Sequence, residues 1–487
     1  MHVFVEVDSK SVVPLWVNNT QLPVRLDRLE PVTNYRTSEV VHYYQSADTD
    51  SCDAACDSAM AAFQKWKKAG VGQRRDLLLE VARLVEERAE ELASLQVLEI
   101  SCQEGFARML VMYTAQALRE LAYVIGTVSG SIPADDEPGA TSFVFREPIG
   151  PVLVIPPWNG PLASALRSVA QVVAAGCTAV LKCSELSPAS QAVIGLLFRD
   201  AGAPQGIVST LQASRAAAPE ITRALIANPS IRKIDFIGSS AVGSTITSMA
   251  GEFLKPVMLE LSGKGPAIIC EDADLDQAAS LCVQGACFNH GQGCVATERI
   301  IVLRAAADDF LPSLIKRWDS FPTGMAVSVA AFANAQAHIQ DAVDKGAKLL
   351  AGGPEPTAHG SLPATLLLID AAANSGSMRI IDEETFGPSA SVYIVDTVDE
   401  AVKLANHSKY GLTATIHSRS LQNALDIGQE LEYAQVHINS VPLVGNPYAP
   451  AGGVKASGWG RNNAKWAFDE YLVEKHLTWR QGGQGLL

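Results

Sequence analysis

The sequence predicts an α/β protein made of two successive domains, each a largely parallel sheet flanked by helices, with a small β arm attached. Three observations lead there. Between residues 150 and 237, strand-like segments, the first of them the continuous apolar run 152–155, alternate with helical stretches, as in a largely parallel buried sheet. Beyond Glu260 the same alternation resumes and continues to about residue 406. Finally, a turn-rich stretch precedes the alternating run Ser142-Phe143-Val144-Phe145-Arg146, and the tail from Tyr471 to Trp479 has matching strand composition.

Taken in order, residues 1–50 divide into short strands and turns around Pro14, Pro23 and Pro31. The polar segment 46–53 leads into a helix expected to begin near Asp53. From there to Leu98, Ala62-Phe63, Trp66, Leu77-Leu78-Leu79, Val81, Leu84-Val85 and Leu92 recur at helical spacing among Lys, Arg and Glu. A further helix is expected over 104–126. The stretch 129–141 is rich in turn residues, so with 142–146 it reads as a hairpin arm at a subunit interface, which the tail could join. Strands are expected over 152–155, 178–181, 207–211 and 231–237, with helices over 162–175 and 188–201. This is a doubly wound pattern, in which ligands sit beyond the carboxyl ends of the strands. The second domain is expected to contain strands over 267–269, 300–303 and 391–395, helices over 275–289, 307–318 and 398–406, and a loop over 354–363. There is no internal repeat.

Composition narrows the class. A chain of 487 residues with 48% apolar and 18% charged content is long enough for two or three packed domains. A formal charge of −14 argues against a nucleic-acid partner, which needs a basic face. The first eight residues include acids and no long apolar run, unlike a signal peptide. The longest apolar run, 169–181, is interrupted by Gln171 and Thr178 and is too short to span a bilayer, so no membrane partner is expected. Nine cysteines without framework spacing point to reduced thiols and a cytoplasmic location. Cys52 and Cys56 could share a helix face, but nothing completes a zinc site, so these two, like Cys282 and Cys287, read as structural and no metal is expected.

Five places could carry chemistry. In Cys287-Phe288-Asn289-His290-Gly291-Gln292-Gly293-Cys294, two glycines allow close backbone approach ahead of a thiol. The N–H beside that thiol could serve an oxyanion, although a free cysteine is more often a small buried hydrophobe. The strand over 152–155 runs into Pro156-Pro157-Trp158-Asn159-Gly160, where the Asn159 amide either donates to an anion or only satisfies a Pro-rich turn. Lys182 and Glu185 leave the sheet at one edge. An acid there can bind ribose hydroxyls and favour NAD over NADP; the alternative is a solvated ion pair. The turn Gly238-Ser239-Ser240-Ala241-Val242-Gly243 opens a helix whose free N–H groups suit an anion, but it has neither a P-loop lysine nor GxGxxG spacing, and an ordinary turn remains open. Glu260 stands between Leu259 and Leu261, an apolar setting of the kind that lets a carboxyl work as a general base near neutral pH; a surface glutamate on a strand edge is the alternative.

Together and in this order, PWN before Gly160, LKCSE, GSSAVG, LELSGK, FNHGQGC, Glu383-Glu384-Thr385-Phe386-Gly387-Pro388 and Gly452-Gly453-Val454-Lys455-Ala456-Ser457-Gly458 resemble the aldehyde dehydrogenase superfamily, from about residue 50 to the end. The resemblance implies a Rossmann-like NAD-binding domain (1–128 and 148–259), an α/β catalytic domain (260–445) and a small β oligomerisation arm (129–147 and 465–487). It implies Cys294 as the nucleophile, Glu260 as the general base, and Asn159, with the Cys294 N–H, as the oxyanion holder. Lys182 and Glu185 would meet the adenosine ribose; Gly238, Ser239 and Val242 the pyrophosphate; Glu384 and Phe386 the nicotinamide ribose and ring. Ile155, Pro157 and Trp158 would line the same crevice. The cofactor implied is NAD, with NADP as the alternative, and the assembly a homodimer or homotetramer.

The chemistry implied is attack of Cys294 on an aldehyde, hydride loss to leave a thioester, and hydrolysis by water that Glu260 activates. The family motif gives His290 no role. Gly160 and Arg167 resemble those of salicylaldehyde-type dehydrogenases, with Arg167 on the helix after PWN either facing a ring hydroxyl or forming a structural ion pair. Met109, Tyr113, Leu162 and Leu443 are candidate wall residues. Ring-hydroxylated aromatic aldehydes are the expected substrates, aliphatic aldehydes or semialdehydes the alternative. A CoA-acylating enzyme and a non-catalytic member of the fold are the rival classes. Two departures stand out: a short, apolar stretch over 321–338 where a polar surface connection is usual, and Ala451 where an aromatic is common before GGVK.

Overall fold

A computed structural model of the protein describes residues 3–136, 139–322, 324–370, 378–443 and 445–480. The first sheet has eight strands in the order Gly458–Trp459, Val257–Glu260, Lys233–Ile237, Pro151–Ile155, Thr178–Cys183, Val208–Gln212, Trp16–Val17 and Thr20–Gln21. Its five central strands are parallel, in registers that pair Ile237 with Glu260, Phe236 with Ile155, and Gln212 with Cys183. The carboxyl ends of these strands therefore open at one edge, where ligands of a doubly wound sheet bind. The second sheet runs Lys348–Ala351, Thr365–Leu368, Ser389–Val395, Thr297–Leu303, Gly265–Ile269, Thr413–His417 and Gln435–Ile438, parallel except for its first strand. A separate four-stranded sheet has the order Val5–Val7, Lys10–Val13, Glu39–Gln45 and Leu29–Asn34.

The opening helices are Thr49–Trp66, Val71–Glu87, Ala89–Ile100 and Glu104–Val124. The first starts four residues before the expected Asp53, because Asp48 caps it: its carboxylate accepts the Ser51 N–H at 3.0 Å and the Ser51 hydroxyl accepts the Asp48 N–H at 2.8 Å. Leu78, Val81, Ala82 and Val85 point inward and pack, with the helices Pro161–Ala174 and Pro188–Asp200, onto one face of the first sheet. Cys52 and Cys56 pack on its other face, and Cys282 and Cys287 lie in the core of the second sheet. All nine cysteines are unpaired. Among the described residues no three metal-ligating side chains cluster, and no helix is long and apolar enough to cross a membrane.

Several expectations need correction. The helix over 275–289 ends at Cys287, because Asn289 and His290 take left-handed backbone angles that no α-helix continues. The stretch over 321–338 is no plain surface connection. Ser328 accepts the Ala331 N–H and starts the helix Val329–Asp344, which buries Ala335, Ile339 and Ala342. The hairpin expected around 129–146 reduces to a single bridge, Ser131 to Val144. The expected partnership with the tail is present: the strand Ala140–Pro148 pairs with Leu472–Arg480 along its full length. Within the segment assigned to the arm, helix Trp466–Tyr471 packs Phe468 and Tyr471 into the first core. Residues 137–138 and 481–487 of the expected arm lie outside the described residues.

Candidate active site

The segment leading to Cys294 is shaped by backbone before any side chain acts. After helix Leu275–Cys287, Asn289, His290 and Gly291 hold φ of 48°, 60° and 70°. Gly291 is required there, since a Cβ would lie 2.0 Å from the Gly387 carbonyl oxygen. On the other side, a Cβ on Gly263 would lie 2.3 Å from the Cys294 carbonyl oxygen. The Gln292 side chain pins the turn, donating to the Met325 carbonyl at 3.0 Å and accepting from the Val327 N–H at 2.8 Å. Cys294 then emerges half-buried, whereas the other eight cysteines are buried. Asn159 comes off the end of strand Pro151–Ile155 and donates to the Gln292 carbonyl at 3.1 Å, so amide and thiol segment meet.

Glu260 ends its strand beside them, but not in an apolar setting. Strand alternation turns Leu259 and Leu261 into the core and leaves the Glu260 carboxylate on the other face. There it accepts from Arg167 at 2.8 Å and from Asn462 at 2.9 Å. Arg167 therefore forms the ion pair and also lines a crevice with Cys294; the two readings of this residue are compatible. Burial pushes the Cys294 thiol well up, with the Glu260 and Glu384 charges adding and Arg167 opposing. These surroundings favour the protonated thiol over the thiolate.

Two crevices meet at this point, and Cys294, Glu260 and Asn159 line both. The smaller, of about 180 Å³, is walled by Phe106, Met109, Tyr113, Phe288 and Leu443, with Gly160, Arg167 and Ala451 also on its surface. The Phe106 and Phe288 rings meet edge to face at 5.1 Å. Leu162 is not part of this wall; it is buried in the first core. The larger crevice, of about 400 Å³, is lined by all ten residues matched above to the cofactor. Lys182 is buried, which lowers its pKa against the opposing Glu185 charge. Ser239 caps helix Ser240–Glu252 by accepting the Val242 N–H, leaving that helix start facing the crevice. Glu384 accepts the Gly263 N–H at 2.9 Å, and Phe386 packs edge-on to Trp158 at 5.7 Å.

Sequence reasoning did not find Asn462, Gln292, Phe106 or Phe288. Gln292 sits inside a motif, but nothing in its spacing reveals that its amide bonds residues 325 and 327. His290 is buried and lines neither crevice, and burial lowers its pKa to about 4.

The sequence model of the Aldehyde dehydrogenase family matches residues 16–477. The chain is 36% identical to salicylaldehyde dehydrogenase of Pseudomonas putida over 475 residues, 95% of this chain and 96% of that protein. It is 35% identical to vanillin dehydrogenase of Pseudomonas fluorescens over 480 residues, covering 96% and 98%. The mitochondrial succinate-semialdehyde dehydrogenase of Arabidopsis thaliana matches at 33% identity, covering 92% and 85%. Among solved structures, that of a salicylaldehyde dehydrogenase from Pseudomonas putida G7 complexed with salicylaldehyde superimposes with a TM-score of 0.93 at 34% identity, covering 97% and 99% of the two chains.

Proposed function

The chain belongs to the aldehyde dehydrogenase family, and from that premise we propose that it oxidises ring-hydroxylated aromatic aldehydes to carboxylic acids, with NAD as hydride acceptor. One observation carries the reading: thiol, carboxylate and amide share the wall between a small aromatic-lined crevice and a larger one at the carboxyl ends of the first sheet.

The larger crevice fits a dinucleotide on three grounds: an acid just past a central strand, a helix start with open N–H groups, and a ring pair beside the thiol. When bound, the nicotinamide supplies the hydride acceptor. Glu185 favours the unphosphorylated ribose, because a 2′-phosphate would meet its charge. In the smaller crevice, flat walls of Phe106, Phe288 and Tyr113 suit an aromatic ring. Cys294 passes its proton to Glu260 and attacks the aldehyde carbon to form a thiohemiacetal. One Asn159 N–H is engaged by the Gln292 carbonyl; the amide's second N–H is available to the oxyanion, a donor worth about 3 kcal/mol of barrier. After hydride loss leaves a thioester on Cys294, Glu260 releases the thiol's proton to solvent and then draws one from water, whose oxygen adds to the thioester carbon and expels the Cys294 thiolate to give the acid. Arg167 and Asn462 fix the carboxylate for both steps.

The Arg167 charge is already matched by Glu260, which disfavours aldehydes carrying a second carboxylate, the semialdehyde reading. Retention of Glu260 favours water over a CoA thiol. A reducing, cytoplasm-like compartment suits nine unpaired thiols. The test is formation of reduced nicotinamide with salicylaldehyde, vanillin, benzaldehyde, hexanal and succinic semialdehyde, with and without CoA. The hydroxylated aromatic aldehydes should give the highest kcat/KM without CoA, and Cys294→Ala should reduce turnover to background while NAD still binds. A higher kcat/KM for succinic semialdehyde would overturn the substrate class, and CoA dependence the hydrolytic step.

A further inference from the structure

We propose that the buried Glu298–Lys264 pair is a positioning device, locking the loop that carries Glu384 and Phe386 to the strands that carry the nucleophile and the base. Glu298 lies four residues past Cys294, at the start of strand Thr297–Leu303. Its carboxylate, 3% exposed, accepts the N–H of Thr385 at 2.9 Å and of Phe386 at 3.1 Å. Lys264 lies four residues past Glu260 and is fully buried. Its ammonium donates to Glu298, to the Glu383 carbonyl at 2.7 Å and to the Thr385 hydroxyl at 3.3 Å. One residue earlier, the Gly263 N–H holds the Glu384 carboxyl. The two chain segments that deliver thiol and base thus clamp the same four residues, 383–386, from two sides.

The loop needs such restraint. Phe386 holds φ of 52°, a left-handed conformation that a bulky residue keeps only where its surroundings over-determine it. Its N–H on Glu298 and its ring against Trp158 supply two of those constraints. Replacing a buried ion pair by neutral groups often costs little stability, so a pair with this many directed bonds to one loop is better explained by geometry than by stability. The inference rests on reading Glu384 and Phe386 as cofactor contacts.

The test uses two variants of the full chain. Glu298→Gln with Lys264→Met removes both charges at similar volume and leaves no unpaired buried charge. Glu298→Asp keeps the charge but withdraws the carboxylate by one methylene. NAD affinity is read by fluorescence titration. Hydrolysis of p-nitrophenyl acetate without cofactor reads the thiol site alone. NAD Kd should rise at least about tenfold in both variants, with Asp giving no rescue. Ester hydrolysis should stay within about twofold. An unchanged Kd, rescue by Asp, or a parallel loss of ester hydrolysis would each overturn the positioning role; if the double variant fails to fold, Glu298→Asp decides. Glu384→Gln and Phe386→Ala run alongside. If these leave Kd unchanged, the cofactor reading of that loop fails, and the inference with it. If they weaken NAD while the Glu298 variants do not, the positioning role alone falls.

Discussion

The Glu384 carboxyl, half-buried on the crevice wall, holds its proton more tightly than the same group in the unfolded chain. Burial, with the Glu298 charge adding and the Gly263 N–H opposing, raises it from 4.5 to about 8. The folded state therefore keeps a proton that the unfolded chain releases between these values, so stability falls as pH rises across that window. The contribution is fully present below 4.5 and is lost by about pH 8. Glu384→Gln, which cannot ionise, should escape the loss. In cofactor-free protein it should melt about 1–3 °C above the parent near pH 8.5 and at the same temperature near pH 4.5. An equal offset at both pH values would mean that Glu384 is not held protonated.

At the scale of elements, four strands of the first sheet were legible at 152–155, 178–181, 207–211 and 231–237, the first as the unbroken apolar run of a strand buried on both faces and the others from their β-rich composition and their alternation with helices. Two-residue strands such as Trp16–Val17 and Gly458–Trp459 carry no period and could not be read. The helix Val329–Asp344 escaped because its buried face is largely alanine, which has little hydrophobic contrast. Order in the chain identified Cys294, Glu260 and Asn159, but it could not show that Asn462, 202 positions later, holds the Glu260 carboxylate. That bond depends on the two-residue strand that brings the tail back beside Val257–Glu260. How closely elements approach was equally hidden until Gly263 was seen against the Cys294 carbonyl. Both sides of that contact are backbone, so no side-chain rotation relieves it. Gly263→Ala should displace the nucleophile segment, cost about 1–3 kcal/mol of stability, and lower kcat/KM on the order of 100-fold. Melting and steady-state kinetics check this, and activity within about twofold of the parent would mean that the approach is not needed.

At the scale of the molecule, the arm is the part least satisfied by a single chain. It is a ribbon of two strands, nine residues each, pairing Leu472 with Pro148 at one end and Arg480 with Ala140 at the other. Two strands alone are marginal in water. Alternation puts Val473, Leu477 and Trp479 on the face that also carries Phe145, and all four are exposed by 43% or more. The Lys475–Glu147 ion pair lies among them on the same face, so the exposed apolar side chains surround a charged pair, an arrangement that would suit a surface between two copies. Covering each of these side chains fully would contribute about 1.5–3 kcal/mol, and a symmetric assembly gains that twice. The homodimer or homotetramer expected of this chain should therefore depend on that face. Replacing Leu477 and Trp479 together by glutamate places charge where burial would strand it, and should convert the assembly to monomers at micromolar concentration. Sedimentation velocity of both proteins reads the outcome directly. A parent protein that sediments as a monomer, or a double variant that keeps the parent's mass, would show that the apolar face of the ribbon has no part in assembly.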